Sequence, residues 1–411
     1  MVKIAILGFG VVGSGVAEVI RLNGDAIEER SGGVGLEVKY ILDLRDFPDS
    51  PYADKFVKDF SVIEQDPEVE VVVETIGGAK AALEFTRRAL KAGKSVVSSN
   101  KELVAQYGYE LLTLARENKV SYRFEASVGG GIPVLHPLSQ CLAANRISEV
   151  HGILNGTTNY ILTHMFGTGV SFEEALKEAQ ERGYAEKDPT ADVEGIDACR
   201  KICILAAIAF GRHVYPHQVP TEGITKVTLA DVSYAYSAGM KVKLLGRAIK
   251  QKDGRVMAYV APHFLSLHDP LAGVEDVFNA ITIRGNVIGD VMFYGRGAGK
   301  LPTASAVVAD VIDAKQHERT RRFLSWEDGS EDYVVGTETL ESRWFLRLPG
   351  SIRDWECLGP VTSLARAGAG AQCDEVGVIT ESMTYPQLQR RLQGRQPLSA
   401  IRVLDQSADL A

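Results

Sequence analysis

The chain has 411 residues, 45% of them hydrophobic and 24% charged, the profile of a folded protein with room for two or three domains rather than a disordered one. Acids outnumber Lys plus Arg by 53 to 45, for a formal net charge of −8, and no basic tract occurs, so nucleic acid and anionic membrane are set aside as partners in favour of a small-molecule substrate. Met1–Leu7 is too short for a signal core, and the five cysteines (Cys141, Cys199, Cys203, Cys357, Cys373) form no Cys-x-x-Cys pair, so they read as reduced core residues of a cytoplasmic protein.

Val2–Leu7 is a short apolar run that leads at once into Gly8-Phe-Gly10-Val-Val-Gly13 and then a helical stretch, Ser14–Ile20. Strand, G-x-G-x-x-G, helix is the context in which the glycines permit a tight turn, let backbone approach a pyrophosphate and aim a helix N-terminus at the phosphates. Gly8, Phe9, Gly10, Val11, Val12 and Gly13 are therefore candidate cofactor-binding residues. Further apolar runs at Leu36–Leu42, Val69–Val73, Ser95–Val97 and Val120–Phe124 alternate with helical patterns at Ala79–Ala92 and Leu103–Glu117. The fold class is α/β, with residues 1–130 forming a Rossmann-like parallel sheet.

Ligands gather beyond the carboxyl ends of such strands. Those ends carry Asp43-Leu-Arg45-Asp46, Glu74-Thr75, Ser98-Ser-Asn-Lys101 and Glu125–Gly131, which adds Thr75, Ser98 and Lys101 to the cofactor candidates. At the second strand end an acid would bind a ribose 2′-hydroxyl and an arginine a 2′-phosphate. Arg45 tips the reading toward NADP, while Asp43 and Asp46 keep NAD open.

Residues 131–301 read as an α+β substrate region. Its predicted elements are a proline-opened helix over Pro133–Ala144, a strand over Ile147–Leu154, a helix begun by Asn155-Gly-Thr-Thr-Asn159, and a helix between the capping box Ser171-Phe-Glu-Glu174 and the stop Gly183. Then comes Gly183–Lys201, rich in carboxylates, followed by Ile202–Phe210 with no polar residue at all. A helix apolar all round is buried, so its charged first turns, with Asp197 and Lys201 on one face, point into the protein or a cleft. The blander reading makes Asp188–Asp192 a turn with Asp192 as a helix N-cap. A buried ion pair is a poor stability device, and a lysine in a dry crevice beside a nicotinamide is suited to give a proton to the alkoxide left by hydride addition to an aldehyde. A hairpin follows around Lys252-Asp-Gly254, then Gly295–Val308, a glycine loop that includes Gly297 and runs into a helix over 302–318 that completes the first domain.

Taken together, Gly8–Gly13, Ser98–Lys101, Glu125–Ile132, Leu154–Asn159, Gly183–Lys201 and Gly295–Val308 resemble homoserine dehydrogenase. The resemblance implies reversible, NADPH- or NADH-dependent reduction of L-aspartate 4-semialdehyde to L-homoserine. It implies Lys201 and Lys101 as catalytic lysines, with Asp197, Asp192, Glu186 and Gly183 binding substrate or orienting Lys201. It further implies a sodium ion on Glu125 and the carbonyls of Val128, Gly130 and Ile132, and a homodimer or homotetramer built through the substrate domain. Residues 319–342 read as a linker, and 343–411, with strands at Arg343–Leu348, Glu375–Thr380 and Ala400–Leu404 and a helix at Tyr385–Leu392, resemble a degenerate ACT domain. Its loop Leu348-Pro-Gly-Ser-Ile352 lacks the acid before proline, so a structural or oligomerising tail is expected in preference to a threonine site.

Overall fold

A computed structural model describes residues 1–316, 324–366 and 374–404. Six parallel strands form the first sheet: β1 (Val2–Leu7), β2 (Leu36–Leu42), β3 (Phe56–Val57), β4 (Val69–Glu74), β5 (Ser95–Ser98) and β6 (Tyr122–Arg123), in the order β3-β2-β1-β4-β5-β6. The order reverses between β1 and β4, which opens the crevice that binds ligands in such sheets. Ile4, Ile6, Leu7 and Val71–Val73 are fully buried because helices cover both faces, which is why these strands read as unbroken apolar runs.

The first helix spans Val11–Arg30, three residues earlier than the glycine motif suggested, so Gly13 lies inside its first turn. A Cβ on Gly13 would fall 1.9 Å from the Gly8 carbonyl oxygen, and only glycine lets the helix start this close to the strand. The helix Lys300–Gln316 packs beside it on the same sheet face, Ala304, Val307, Val308 and Val311 joining the core of β1 and β4, as the sequence suggested for 302–316; residues 317 and 318 lie outside the described residues.

Among the described residues the second sheet has nine strands in its main order, β7 (Ile147–Ile153), β8 (Met240–Lys250), β9 (Val256–Ser266), β10 (Phe278–Gly285) and β11 (Gly289–Arg296) from the substrate region, and β13 (Glu341–Pro349), β14 (Val361–Leu364), β15 (Glu375–Thr380) and β17 (Ser399–Leu404) from the tail. Short strands β12 (Val334–Val335) and β16 (Met383–Thr384) pair beside β9 and β13. The order is β11-β10-β7-β8-β9-β17-β13-β15-β14, and β17 runs parallel to β9, so the tail continues the substrate sheet. Within the tail the sequence strand, 3-10 helix (Ile352–Leu358), strand, strand, helix (Tyr385–Leu392), strand follows the ferredoxin-like plan.

Two expectations are corrected. Pro133–Ala144 is not a full helix: a short helical stretch begins at residue 135, with Leu138 N–H on the Val134 carbonyl, and widens into a π turn over Pro137–Cys141, closed by Leu142 N–H on the Pro137 carbonyl. Residues 324–342 are no free linker, because Trp326 and Tyr333 are buried in the main core and tie the segment down; residues 319–323 lie outside the described residues. Of the cysteines, Cys199 and Cys203 are buried as expected, but Cys141 is exposed and Cys357 half-buried; Cys373 lies outside the described residues.

Candidate active site

The site is assembled at the ends of three elements. β5 ends at Ser98, and Asn100 caps the next helix, Lys101–Glu117, by accepting the Leu103 N–H at 3.1 Å. Lys101 is thereby fixed at the first helical position, at the carboxyl end of the parallel sheet. β7 ends before Leu154, and Asn155 caps Gly156–Thr168. The third element is the helix Ile196–Phe210, entered through Gly195 at φ +80°.

Asp197 and Lys201 occupy the first turns of that helix and are 2% and 6% exposed. Lys201 Nζ lies 2.8 Å from Asp197 Oδ2 and donates to the Leu154 carbonyl at 2.7 Å. The other oxygen of Asp197 is ion-paired with Lys101, so one buried carboxylate links the two lysines. Asn155 stitches the remaining acid in: its Nδ2 donates to Asp192 Oδ1 at 2.7 Å and to Asp197 Oδ2 at 2.9 Å. Lys101 keeps its side chain 40% exposed while that of Lys201 is 8% exposed, so the pair has one wetter and one drier ammonium.

Burial would push the Asp197 carboxyl up, but the Lys201 and Lys101 ammonium groups outweigh it and hold it below the ordinary carboxylate range. Burial draws Lys201 below the ordinary lysine value; Asp197 opposes this and Lys101 adds to it. Burial and the neighbouring Asp197 charge both raise Asp192. Such a lysine is a stronger acid than one in water, and its charge is held against a carbonyl and a carboxylate.

The other candidates fall into place unevenly. Gly183 ends the preceding helix at φ +74°, and the Tyr184 carbonyl accepts the Thr157 hydroxyl at 2.8 Å, which ties this loop to the Asn155 turn. Glu186 is exposed; its backbone carbonyl is held by Gln180, but its carboxylate is not brought to the lysines. Asp192 is no helix cap: it lies within the short turn Thr190–Val193, where the capping-type contact is made by Asp188 to Thr190.

Around the glycine turn, Thr75 Oγ1 donates to the carbonyls of Leu7 and Gly8, both at 2.9 Å, and so braces the turn. Asp43 accepts the Phe9 N–H at 2.7 Å, and Arg45 closes on Asp43 through Nε and Nη2 at 3.0 and 2.9 Å. The two residues that argued for different cofactors are thus bonded to each other. Gly297 is buried, its carbonyl oxygen 2.4 Å from where a Cβ on Gly130 would sit, so the loop before the Lys300 helix rests on the Glu125–Gly131 loop.

Ser98 is fully buried, and its hydroxyl donates to Glu74 Oε2 at 2.5 Å and accepts the Asn100 N–H at 3.0 Å, so the side chain shapes the Lys101 turn. Glu125 is likewise committed: Oε1 accepts the N–H groups of Val134 and Leu135 at 2.6 and 2.8 Å, and Oε2 that of His136 at 2.7 Å. Its own N–H donates to Asp310 of the Lys300 helix at 2.7 Å. The carbonyls of Val128, Gly130 and Ile132 stay outside the hydrogen-bond ladder of the described residues. One lone-pair direction of Oε2 and three carbonyls form an all-oxygen set, which fits a hard monovalent cation. No group of three His, Cys, Asp or Glu able to hold a metal occurs among the described residues.

Sequence reasoning missed Asn155 and Glu74. The first stood in plain view in Leu154–Asn159, at a strand end next to the acids; the second carries no local signal beyond its place after an apolar strand.

Against families, residues 8–125 match the model described as homoserine dehydrogenase, NAD binding domain, and residues 133–312 the model described as homoserine dehydrogenase. The chain belongs to the homoserine dehydrogenase family. It is similar to the homoserine dehydrogenase of Bacillus subtilis, 42% identical over 77% of this chain and 74% of that one, and to that of Synechocystis, 37% identical over 98% and 97%. The crystal structure of a homoserine dehydrogenase from Thiobacillus denitrificans superposes with a TM-score of 0.87 at 33% identity, covering 98% of each chain. A hyperthermophilic archaeal homoserine dehydrogenase in complex with NADPH superposes with a TM-score of 0.64 at 31% identity over 76% of this chain and 97% of that one. The chain is thus an NAD(P)-dependent oxidoreductase of the homoserine dehydrogenase type, as its motifs implied. No helix of the described residues is long and apolar enough to cross a membrane.

Proposed function

We propose that the chain reduces L-aspartate 4-semialdehyde reversibly to L-homoserine with NADPH or NADH, and that Lys201 gives the proton. The observation that carries this is the shared carboxylate: Asp197 holds a dry ammonium, Lys201, and a wetter one, Lys101, at the carboxyl end of the parallel sheet. Bound nicotinamide supplies the hydride. The Lys201 ammonium faces the oxygen that becomes an alkoxide, stabilises that charge and releases a proton to it. Lys101, exposed enough to reach solvent, then restores the proton through Asp197. Asp192, Glu186 and the Gly183 backbone receive the ammonium end of the substrate, for which an acid cluster is suited.

Arg45 is assigned to the 2′-phosphate of NADP and Asp43 to the ribose diol of NAD, which makes both cofactors usable. Glu125 with the carbonyls of Val128, Gly130 and Ile132 would hold a sodium ion and brace the loop beneath the Gly297 turn. We read the tail as ACT-like, a reading its strand and helix order supports, and the enzyme as a cytoplasmic homodimer or homotetramer; the exposed Val287, Ile288, Met292 and Tyr294 at the edge of the substrate sheet support an assembly surface there.

Turnover with aspartate semialdehyde is the test, run with NADPH and NADH and in sodium against choline salts. Efficient reduction that exceeds reduction of other amino-acid aldehydes supports the proposal. Absence of turnover with both cofactors overturns it.

A further inference from the structure

By chain order the helix Lys101–Glu117 belongs to the parallel-sheet domain, yet residues of the substrate region and the segment after it grip it along one stripe. Lys101, Ala105 and Gly108 stand at i, i+4 and i+7 and share a face, with Glu102 at its edge. Lys101 is ion-paired with Asp197, and Glu102 meets Arg200 at 3.2 Å. One turn on, His213 Nε2 donates to the Ala105 carbonyl at 2.9 Å. At Gly108 a Cβ would fall 2.6 Å from Trp326 Cζ2, so the indole lies directly against the helix backbone.

On the facing helix, Ile196–Phe210, the residues Asp197, Arg200 and Lys201 stand at i, i+3 and i+4 and also share a face. Two neighbours on one helix therefore meet two residues one turn apart on the other. The inner pair, Lys101 with Asp197, belongs to the site described above. The outer pair, Glu102 with Arg200, is half-buried at its rim, and neither side chain has a second ionic partner among the described residues.

An ion pair this open to water contributes little to stability. Its geometry matters more. The Lys101 ammonium rides on a flexible four-carbon stem whose side chain is 40% exposed, so water competes with Asp197 for it. Whether it reaches the carboxylate depends on where the stem begins, and Glu102 is the next residue along the backbone. The plainer role for Glu102 is that of an acid in the first turn of a helix, where the macrodipole favours it whatever Arg200 does.

We propose that Glu102 and Arg200 are positioning residues for the reduction: their pair sets the register of the Lys101 helix on the Asp197–Lys201 helix, and so keeps the Lys101 ammonium on the carboxylate it shares with Lys201. The assignment rests on the dehydrogenase reading above, which supplies the reaction that this register serves.

A pH profile separates positioning from a distant charge. Lys201 faces Asp197 on its own helix, Lys101 on the helix opposite and Asp192 from the Thr190–Val193 turn. Burial and Lys101 draw its pKa down, while Asp197 and Asp192 hold it up. When Lys101 drifts away, Lys201 keeps its proton to higher pH, and the alkaline limb of reduction moves up. Breaking the outer pair from either side should therefore move the limb in the same direction. Charge acting only through space would move it up when Arg200 is neutralised and down when Glu102 is.

The test measures kcat, KM for aspartate semialdehyde, NADPH affinity and melting temperature of the full chain as Glu102→Met, Arg200→Met, the double variant, Arg200→Lys and Lys201→Ala. Both Met variants should lose about 10- to 100-fold in kcat, the scale of a misplaced group. They should bind NADPH as wild type does, melt close to it, and show an alkaline limb at higher pH. The double variant should be no slower than either single one, because all three break one link. Arg200→Lys, which keeps a cation opposite Glu102, should restore kcat and the wild-type limb. Wild-type kcat in both Met variants, limbs displaced in opposite directions, additive losses in the double variant, or a Met variant that does not fold would overturn the assignment alone, provided Lys201→Ala is inactive. Near-normal turnover by Lys201→Ala would overturn the proton-donor reading and this assignment with it.

Discussion

Lys201 reaches back one helical turn to Asp197, 2.8 Å away, along a helix whose following turns are apolar on every side. A buried pair of this kind gives little net stability, because taking both charges out of water costs about as much as their attraction returns. Its effect is instead to keep a charged lysine in a dry place, where the unpaired face of the ammonium is available to a reacting oxygen.

Asp197→Asn tests that relation through pH. Burial draws the Lys201 pKa down and Asp197 holds it up, so removing the carboxylate lowers it further. Reduction needs the ammonium form and is lost as pH rises through the Lys201 pKa. The variant should show kcat lower by about a hundredfold or more and an alkaline limb that begins at lower pH than in wild type. A pH–rate profile of unchanged shape would mean that Asp197 does not govern the lysine.

Asn155 both caps a helix and joins Asp192 to Asp197, and two substitutions separate these roles. Asn155→Ala should cost about 1 kcal/mol of stability and most of the activity. Asn155→Ser restores a capping oxygen without the amide that spans the two acids, so the melting temperature should recover while kcat/KM stays low. Recovery of both would reduce Asn155 to a cap.

Glu74 is fully buried beneath the Lys101 turn, accepting from Ser98 Oγ at 2.5 Å and from the Ile76 N–H at 2.7 Å, and burial pushes its pKa up to about 7. Folding therefore favours its protonated form. The stability this contributes is fully present below the ordinary glutamate pKa of about 4.3 and is lost as pH rises to about 7, flattening beyond, for up to about 3 kcal/mol. Glu74→Gln should match wild type near pH 5 and melt higher at pH 8 to 9, followed by thermal melts across that range. Parallel curves would show that the carboxyl ionises without cost.

Arg45 is 62% exposed at the side chain, bonded to Asp43 and resting over the Phe47 ring with its guanidinium carbon 5.1 Å from the centroid. Arg45→Ala should raise KM for NADPH by about tenfold, as expected for loss of a charged phosphate contact, and leave KM for NADH nearly unchanged. An equal rise for both cofactors would place the arginine elsewhere in the mechanism.

Much of this was legible because local pattern and tertiary role coincided. The apolar continuation Ile202–Phe210 announced a buried helix, and the glycine turn between β1 and its helix announced the crevice. What escaped depended on distant partners. Glu125 caps a turn begun nine residues later, and the expected long helix is only a short one that widens into a π turn over Pro137–Cys141. Residues 324–342 read as a linker since charge dominates their composition, yet Trp326 and Tyr333 suffice to bury the segment's anchor points. Lys101 and Asp197 stand 96 positions apart, and nothing local to either signals the pairing.

The most direct measurement is single-turnover reduction by Lys201→Ala, with NADPH binding followed by fluorescence in the same samples. The account predicts cofactor affinity within about twofold of wild type and hydride transfer slowed by about 10² to 10⁴. Near-normal turnover in this variant would contradict it.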